Sequence, residues 1–292
     1  MRLDGHRESD NVEDARQGGG GGGSGFIGGR SIGIGTVAIA LIGGWIFGIN
    51  PLTVLSLLSG GSPAPVAQQA PATKPPAGDP MARFVSMVLA DTEDVWREQF
   101  RAAGSTYREP KLRLYKGREV TACGSGQAAM GPFYCPGDEK IYIDLSFYED
   151  MRTRMGAPGD FAQAYVIAHE VGHHVQHLAG ISDKVEQARR RSSPQAGNAL
   201  SVRLELQADC YAGVWAHHAQ RARQILEQGD VEEALNAASQ IGDDTLQKKG
   251  QGRVVPENFT HGTSAQRVSW FKRGMASGSV DQCDTFKAGA NL

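Results

Sequence analysis

The stretch YVIAHEVGHHVQ, residues 165–176, decides the fold of this 292-residue chain. Apolar residues follow a helical spacing through this stretch, from Phe161 to Leu178. Within the predicted helix, His169 and His173 lie four residues apart, one turn along the same face. Two imidazoles placed in this way can bind one zinc ion at ~2.0–2.1 Å. The stretch therefore predicts a long, largely buried helix that carries part of a metal site.

Glu170 lies between the two histidines, beside the predicted metal position. A carboxylate there can take a proton from a zinc-activated water and later pass it to a leaving amine. A catalytic zinc also needs a third protein ligand and an open position for water. His177 is a poor third ligand because eight helical residues, roughly 12 Å, separate it from His169. The extended metzincin pattern is excluded, since Gln176 and Ala179 stand where it requires Gly and His.

A second amphipathic helix, predicted over residues 198–226, carries Glu205 and Asp209 at a four-residue spacing. Glu205 can complete a His2Glu ligand set, and Asp209 can accept the other ring N–H of a ligand histidine. Acidic residues often only cover a solvated helix face, but the sequence neighbours of this pair are mostly apolar. We therefore predict a single Zn2+ ion bound by His169, His173 and Glu205, with Asp209 supporting one of the histidines.

Three stretches resemble the neutral zinc metallopeptidases of bacteria: residues 165–176, residues 201–215 (SVRLELQADCYAGVW) and residues 259–267 (FTHGTSAQR). The resemblance extends to residues 8–16 and 131–148, and every motif position matches. It implies an inner-membrane anchor, a periplasmic catalytic domain of gluzincin type, and zinc ligands at the three positions named above. It also implies peptide-bond hydrolysis, without identifying a physiological substrate.

The rest of the C-terminal part predicts a first helix and two short strands, at residues 112–115 and 140–147. Tyr142 and Asp144 lie in the second strand. In a zincin this strand could be the edge strand that aligns a substrate peptide, although the alternation fits a core strand equally well. We expect an α+β, mainly helical zincin-like domain with a small β-sheet over residues 81–292, preceded by one transmembrane helix.

The first 80 residues have a different composition. Residues 1–30 are polar and Gly-rich, which predicts a disordered cytoplasmic tail. Residues 31–58 contain no charged residue and predict a transmembrane helix. A cleaved signal peptide is the alternative, but its apolar part would be shorter and nearer the start. Residues 59–80 are rich in Pro and Ala, as in a semi-extended linker.

The distribution of basic residues around the apolar segment predicts its orientation. Basic residues precede the segment, and none follows it until Lys74. The positive-inside rule then places the N-terminus in the cytoplasm. The sequence thus predicts a single-pass protein of the bacterial inner membrane with a periplasmic catalytic domain.

All four cysteines lie beyond residue 120, where an oxidising compartment would allow them to pair. Their spacing favours the disulfides Cys123–Cys135 and Cys210–Cys283, although four cysteines allow three connectivities. A four-cysteine zinc site is disfavoured because the chain contains no C-x2-C pair.

His261 lies in a Gly-containing loop far downstream of the motif. It could donate a hydrogen bond to the oxyanion formed during attack on a carbonyl, as a catalytic residue. An ordinary loop or helix-capping histidine is the alternative. We expect His174, His217 and His218 at the surface, outside any site.

The formal net charge of −2 argues against nucleic acid as a partner. The function predicted from the sequence is a membrane-anchored, zinc-dependent endopeptidase that acts on peptide or protein substrates. Two alternatives stay open: a zinc-dependent amidase acting on cell-wall peptides, and a catalytically silent, zinc-stabilised interaction domain. Glu170 argues against the silent domain, because a closed structural zinc site needs no carboxylate beside a water position.

Overall fold

Helices make up most of the structure, a computed structural model that describes residues 1–17, 71–127, 131–287 and 289–290. The α-helices are, in chain order, Pro80–Ala102 (α1), Ser146–Asp150 (α2), Asp160–Leu178 (α3), Ile181–Arg189 (α4), Pro194–Arg223 (α5), Asp230–Gln240 (α6), Asp243–Gln251 (α7) and Ser264–Ser277 (α8). A π-helical turn, Met151–Met155, follows α2, and 3-10 turns at Pro256–Asn258 and Val280–Cys283 flank α8. The described residues belong to one unit, Met1–Gly19 with Pro71–Leu292.

The strands form a small sheet and a separate hairpin. They are Val12–Asp14 (β1), Lys111–Tyr115 (β2), Arg118–Thr121 (β3), Gly124–Gln127 (β4), Phe133–Cys135 (β5) and Lys140–Asp144 (β6). The sheet has the order β1-β2-β6-β5, in which β1, β2 and β6 are parallel and β5 is antiparallel to β6. Leu112 pairs with Ile141, and both side chains are fully buried in the core. Strands β3 and β4 form the antiparallel hairpin.

The strand that carries Tyr142 and Asp144 is interior to the sheet, because β6 lies between β2 and β5. Tyr142 is fully buried, and the Asp144 carboxylate accepts backbone N–H groups from Gly117 and Ser146. The core-strand interpretation is therefore correct, and the edge position next to β6 belongs to β5.

Helices α3 and α5 pack closely because Gly172, inside the HEVGH motif, has no side chain. A Cβ at this position would lie 3.0 Å from the Ala208 carbonyl oxygen and 3.1 Å from the Ala208 Cα. Such a contact is too short for close-packed backbone to accept without moving one of the helices. Gly172 thus brings the histidine face of α3 against the carboxylate face of α5.

Helices α5 and α8 approach each other through a second pair of glycines. A Cβ at Gly213 would overlap the Phe271 carbonyl oxygen, and a Cβ at Gly274 would overlap the Cys210 carbonyl oxygen. Helix α8 begins with a capping box, in which the Thr263 side chain accepts from the third helical N–H. The start of α8 is therefore fixed against the middle of α5.

The first residues of the chain are part of the folded unit. Strand β1 pairs with β2, and the buried Glu93 carboxylate on α1 accepts hydrogen bonds from Ser9 (2.5 Å) and Asn11 (2.9 Å). The prediction of a disordered tail is therefore wrong for residues 1–17, and residues 18–30 lie outside the described residues. The predicted linker also ends earlier, since Thr73 forms a bridge with Asp14.

The predicted membrane topology requires correction. Residues 31–58 lie outside the described residues, and no helix in the described part of the chain is long and apolar enough to cross a bilayer. The longest, α5, carries several charged residues along its length. A single crossing would also separate residues 1–17 from residues 71–290, which pack in one unit. The predictions of a single-pass transmembrane helix and of an inner-membrane protein with a cytoplasmic N-terminus are therefore wrong.

Two disulfides close loops of very different length. Cys123–Cys135 connects the turn of the β3–β4 hairpin to β5, and Cys210–Cys283 connects α5 to the last 3-10 turn. This is the connectivity that the spacing favoured. Disulfides of this kind are typical of proteins from oxidising compartments.

We expect a charge in β1 to destabilise the fold, because Val12 is 4% exposed. Val12→Asp buries an unpaired carboxylate and should lower the free energy of unfolding by about 3 kcal/mol. The control is Asp10→Ala, two residues away, whose side chain is 89% exposed and whose loss should leave the stability essentially unchanged. Urea unfolding of the full chain measures both, and equal stabilities would show that residues 1–17 are a detached tail.

Candidate metal centre

Three side chains from α3 and α5 converge on one point. The His169 Nε2 lies 3.1 Å from the His173 Nε2 and 3.1 Å from the Glu205 Oε2. The His173 Nε2 lies 3.5 Å from the Glu205 Oε1. The structure thus brings together the three predicted ligands, which form a group able to hold one metal ion.

The spacing of these atoms fits a tetrahedral zinc ion. Ligand atoms at ~2.0–2.1 Å from a tetrahedral ion are roughly 3.3–3.4 Å apart, and the observed separations are 3.1–3.5 Å. Two imidazole nitrogens and a carboxylate are also the donor set of a catalytic zinc with an open fourth position. The residues present therefore fit zinc in both number and chemistry.

Asp209 supports the first histidine from a fully buried position. Its Oδ1 lies 2.8 Å from the His169 Nδ1 and accepts a hydrogen bond from the Tyr165 hydroxyl (2.5 Å). Arg267 of α8 donates to both carboxylate oxygens, each at 2.9 Å. Asp209 can only accept, so it keeps the Nδ1 proton on His169 and leaves the Nε2 lone pair facing the candidate metal position.

The electrostatics of the centre favour a cation. Burial opposes ionisation of Asp209, but the charge of Arg267 outweighs it and lowers the pKa of this carboxyl. Burial opposes ionisation of Glu205 as well, yet His173 and His169 hold its pKa well below the ordinary value. For His169, the charge and hydrogen bond of Asp209 overcome the effect of burial and raise the pKa to about 10. The ionised Glu205 carboxylate thus faces a position that a divalent cation can occupy in place of a proton, and Asp209 supports that position through His169.

Glu170 is buried next to this centre, at 7% exposure. Among the described residues, none donates a hydrogen bond to its carboxylate, and burial raises the pKa of Glu170 above its ordinary value. The fully enclosed Tyr148 hydroxyl also lacks a hydrogen-bond partner within the described part of the chain. Burial and the nearby charge of Glu170 raise the pKa of Tyr148. A carboxylate without partners and with a raised pKa is suited to proton transfer.

His261 lies in the loop before α8, held by Asp243 at the start of α7. One Asp243 oxygen accepts the backbone N–H groups of Thr260, His261 and Gly262 at 2.6–3.0 Å. The other oxygen lies 3.2 Å from the His261 Nδ1, and the His261 side chain is about half exposed. The hydrogen bond with Asp243 raises the pKa of His261, with a further contribution from the charge of Glu205. His261 is thus an oriented, accessible imidazole within the electrostatic reach of a candidate ligand.

The remaining histidines have structural contacts. His174 is fully buried, with its Nε2 2.6 Å from the Arg108 carbonyl oxygen, and burial lowers its pKa to about 4. The expectation of a surface position is therefore wrong for His174. His217 and His218 are partly buried between α5 and α8, where they contact backbone carbonyl oxygens. His177 lies at the rim, 3.6 Å from the Glu139 carboxylate.

Arg267 and Tyr165 are the residues of the centre that the sequence analysis did not assign. Tyr165 stands four residues before His169 on α3, so its position on the histidine face was readable from the helical spacing. Arg267 lies 58 residues after Asp209 in the chain, and no local pattern connects them. Its position in the stretch 259–267, one of the three that carry the family resemblance, was the available signal.

The fold brings the HEVGH helix and a second, Glu-bearing helix together around a group of donor atoms able to hold one metal ion. The chain belongs to the family described as "Putative neutral zinc metallopeptidase", whose profile matches residues 1–286. This confirms the resemblance stated from the sequence and indicates a zinc metallopeptidase.

Two relatives illustrate the extent of the similarity. The chain is 54% identical over 291 residues to "Uncharacterized protein YpfJ" of Escherichia coli (strain K12), covering 98% of this chain and 99% of that one. It is 43% identical over 192 residues to "Uncharacterized protein Rv2575" of Mycobacterium tuberculosis (strain ATCC 25618 / H37Rv), covering 62% and 64%. No solved structure matches the chain.

We expect the full chain to bind one zinc ion and Glu205→Ala to bind it at least ~100-fold more weakly, because the variant loses one of the three donors. Isothermal titration with zinc measures both affinities. Glu186→Ala, on the exposed face of α4, is the matched control and should bind like the wild type. Unchanged affinity in Glu205→Ala would show that the third ligand lies elsewhere.

Proposed function

We propose that this protein is a zinc-dependent endopeptidase whose substrates are extended peptides or protein segments. The observation that carries the proposal is the convergence of the His169, His173 and Glu205 donor atoms at 3.1–3.5 Å, with the partner-free Glu170 carboxylate beside them. A structural zinc site has four protein ligands and no need for such a carboxylate. This arrangement favours a hydrolase over the silent interaction domain.

His169, His173 and Glu205 would hold the ion. A zinc ion bound there supplies Lewis acidity and lowers the pKa of water toward ~7. Glu170 is the group that moves protons: it takes one from the attacking water and returns it to the amine that leaves. Burial raises the pKa of Glu170, which makes it a better proton acceptor than an exposed carboxylate.

His261 would stabilise the oxyanion that forms on the substrate carbonyl. Asp243 only accepts hydrogen bonds, so the ring keeps one proton on Nδ1, and a second proton on Nε2 makes this nitrogen a donor. The raised pKa of His261 keeps that second proton in place to higher pH than for an isolated imidazole. A charged donor aimed at a developing oxyanion is the kind of group that accelerates acyl transfer.

Strand β5 is the element suited to bind the substrate backbone. It is the outer strand next to β6, and its Tyr134 hydroxyl lies 3.0 Å from the Nδ1 of His174 on α3. Strand β5 thus lies beside the helix that carries the HEVGH motif, and its outer edge pairs with no other described strand. An extended peptide can add to this edge by backbone hydrogen bonds, which recognise peptides with little dependence on their side chains.

We expect Glu170→Gln to abolish hydrolysis of casein while it still binds one zinc ion, because the amide cannot accept the proton but removes no donor atom from the metal. Zinc content and casein cleavage are measured on the same full-length preparation. Glu98→Gln, an exposed position on α1, should keep full activity.

The same assay separates the alternatives. If wild type leaves casein intact but releases fragments from cell-wall peptides, the protein is an amidase. If wild type holds zinc and cleaves neither substrate, the proposal of an enzyme is overturned.

We expect the kcat of wild type to fall as the pH rises through the pKa of His261, which lies above the ordinary value of 6.5. Deprotonation removes the Nε2 donor, so the alkaline side of the pH profile reports this group. His261→Gln should lower kcat by ~10²–10³-fold and lose this alkaline limb. His218→Gln, whose histidine contacts the Gly278 carbonyl and the His217 ring, is the control, and an unchanged limb in His261→Gln would remove His261 from the mechanism.

A further inference from the structure

Two buried glutamines connect the second histidine of the centre to the C-terminal turn. Gln176 is fully buried and Gln207 is 3% exposed. The Gln176 Oε1 lies 2.9 Å from the His173 Nδ1, and the Gln176 Nε2 donates to the Gln207 Oε1 at 3.1 Å. The Gln207 Nε2 in turn donates to the Cys283 carbonyl oxygen at 3.0 Å. We call these two side chains the glutamine relay.

The direction of every hydrogen bond in the relay is fixed by backbone carbonyl groups. The Cys283 carbonyl can only accept, so the NH2 group of Gln207 must face it. The Gln207 oxygen then faces Gln176 and requires the NH2 group of Gln176 on that side. The Leu204 carbonyl oxygen lies 2.7 Å from the Gln176 Nε2 and, because it can only accept, independently requires the NH2 group on that side. The Gln176 amide can therefore present only its oxygen to His173.

An oxygen acceptor beside Nδ1 decides the tautomer of His173. The ring places its hydrogen on Nδ1, and the Nε2 lone pair then points at the Nε2 of His169 and at Glu205. With the opposite tautomer, the Nδ1 lone pair of His173 would face the Gln176 Oε1. Two acceptors would then lie against each other, at a free-energy cost that burial increases. The relay thus keeps the proton of His173 on Nδ1 and leaves the Nε2 lone pair available to a metal ion.

We propose that Gln176 and Gln207 are positioning residues that hold His173 in its metal-binding tautomer, and that the turn Val280–Cys283, tied to α5 by the Cys210–Cys283 disulfide, anchors the relay. This inference rests on the proposed zinc site. It assigns to the C-terminal turn, remote from the HEVGH motif in sequence, a part in the affinity for the metal.

The test compares Gln176→Leu with Gln176→Glu in the full chain. Leucine has a similar volume but accepts no hydrogen bond, and should weaken zinc binding about 10- to 100-fold. In Gln176→Glu the buried acid stays protonated because the Leu204 carbonyl and the Gln207 Oε1 both face it as acceptors. Its hydroxyl donates there, its carbonyl oxygen still accepts the His173 Nδ1–H, and the zinc affinity should stay within about threefold of wild type. The visible absorption of the Co2+ form should change in the leucine variant and persist in the glutamate variant. Gln187→Leu, exposed on α4, is the matched control and should match wild type in both measurements.

Gln207→Leu tests the second residue of the glutamine relay, and it replaces Gln176→Leu as the test if that variant does not fold. It leaves the Leu204 carbonyl to orient Gln176, so its loss of zinc affinity should be measurable and smaller than that of Gln176→Leu. Wild-type affinity and an unchanged Co2+ spectrum in both leucine variants would overturn the relay while leaving the zinc site intact. A wild-type chain that binds no zinc would overturn the proposed function and the relay together.

Discussion

The buried ion pair between Asp209 and Arg267 is the interaction on which the centre depends. Asp209 is completely enclosed, and an unpaired carboxylate in that position would cost several kcal/mol. Arg267 donates to both of its oxygens, and Tyr165 and His169 fill its remaining accepting positions. One carboxylate therefore joins α3, α5 and α8, and a displacement of either α3 or α8 breaks hydrogen bonds to Asp209 on α5. The orientation of His169 is a consequence of this network.

The network can form only because the helices approach closely. Gly172 lets the Ala208 backbone of α5 lie against α3, and Gly213 with Gly274 does the same for α5 and α8. A methyl group at Gly172 would separate the histidine face from the carboxylate face and lengthen the 3.1–3.5 Å donor separations. The glycine inside HEVGH therefore serves packing, while the residues around it serve chemistry. Close packing transmits such a displacement directly to the metal position.

The part of the centre that was predictable from the sequence is the part encoded by local periodicity. His169 with His173, and Glu205 with Asp209, share helix faces through a four-residue spacing, which needs no tertiary information. Arg267 could not be found in this way, because its partner lies on another helix and nothing local marks the pair. The first 17 residues were misjudged for a related reason. Their polar composition suggests disorder, but β1 pairs with β2, ~100 residues further along the chain, and in the folded unit Val12 is buried and Ser9 donates to the Glu93 carboxylate.

The two histidines of the centre are supported by different chemistry, and the difference affects the charge of the site. His169 contacts a carboxylate, whereas His173 contacts the neutral amide of Gln176. With Glu170 ionised as the proton acceptor, Glu170, Glu205, Asp209 and Arg267 together carry two negative charges, which a divalent cation would balance. The cation and a protonated His261 would then be the charges that stabilise an oxyanion formed on a substrate carbonyl. A carboxylate at position 176 would add a negative charge to the centre and would place an accepting oxygen opposite the Leu204 carbonyl, and the neutral amide avoids both.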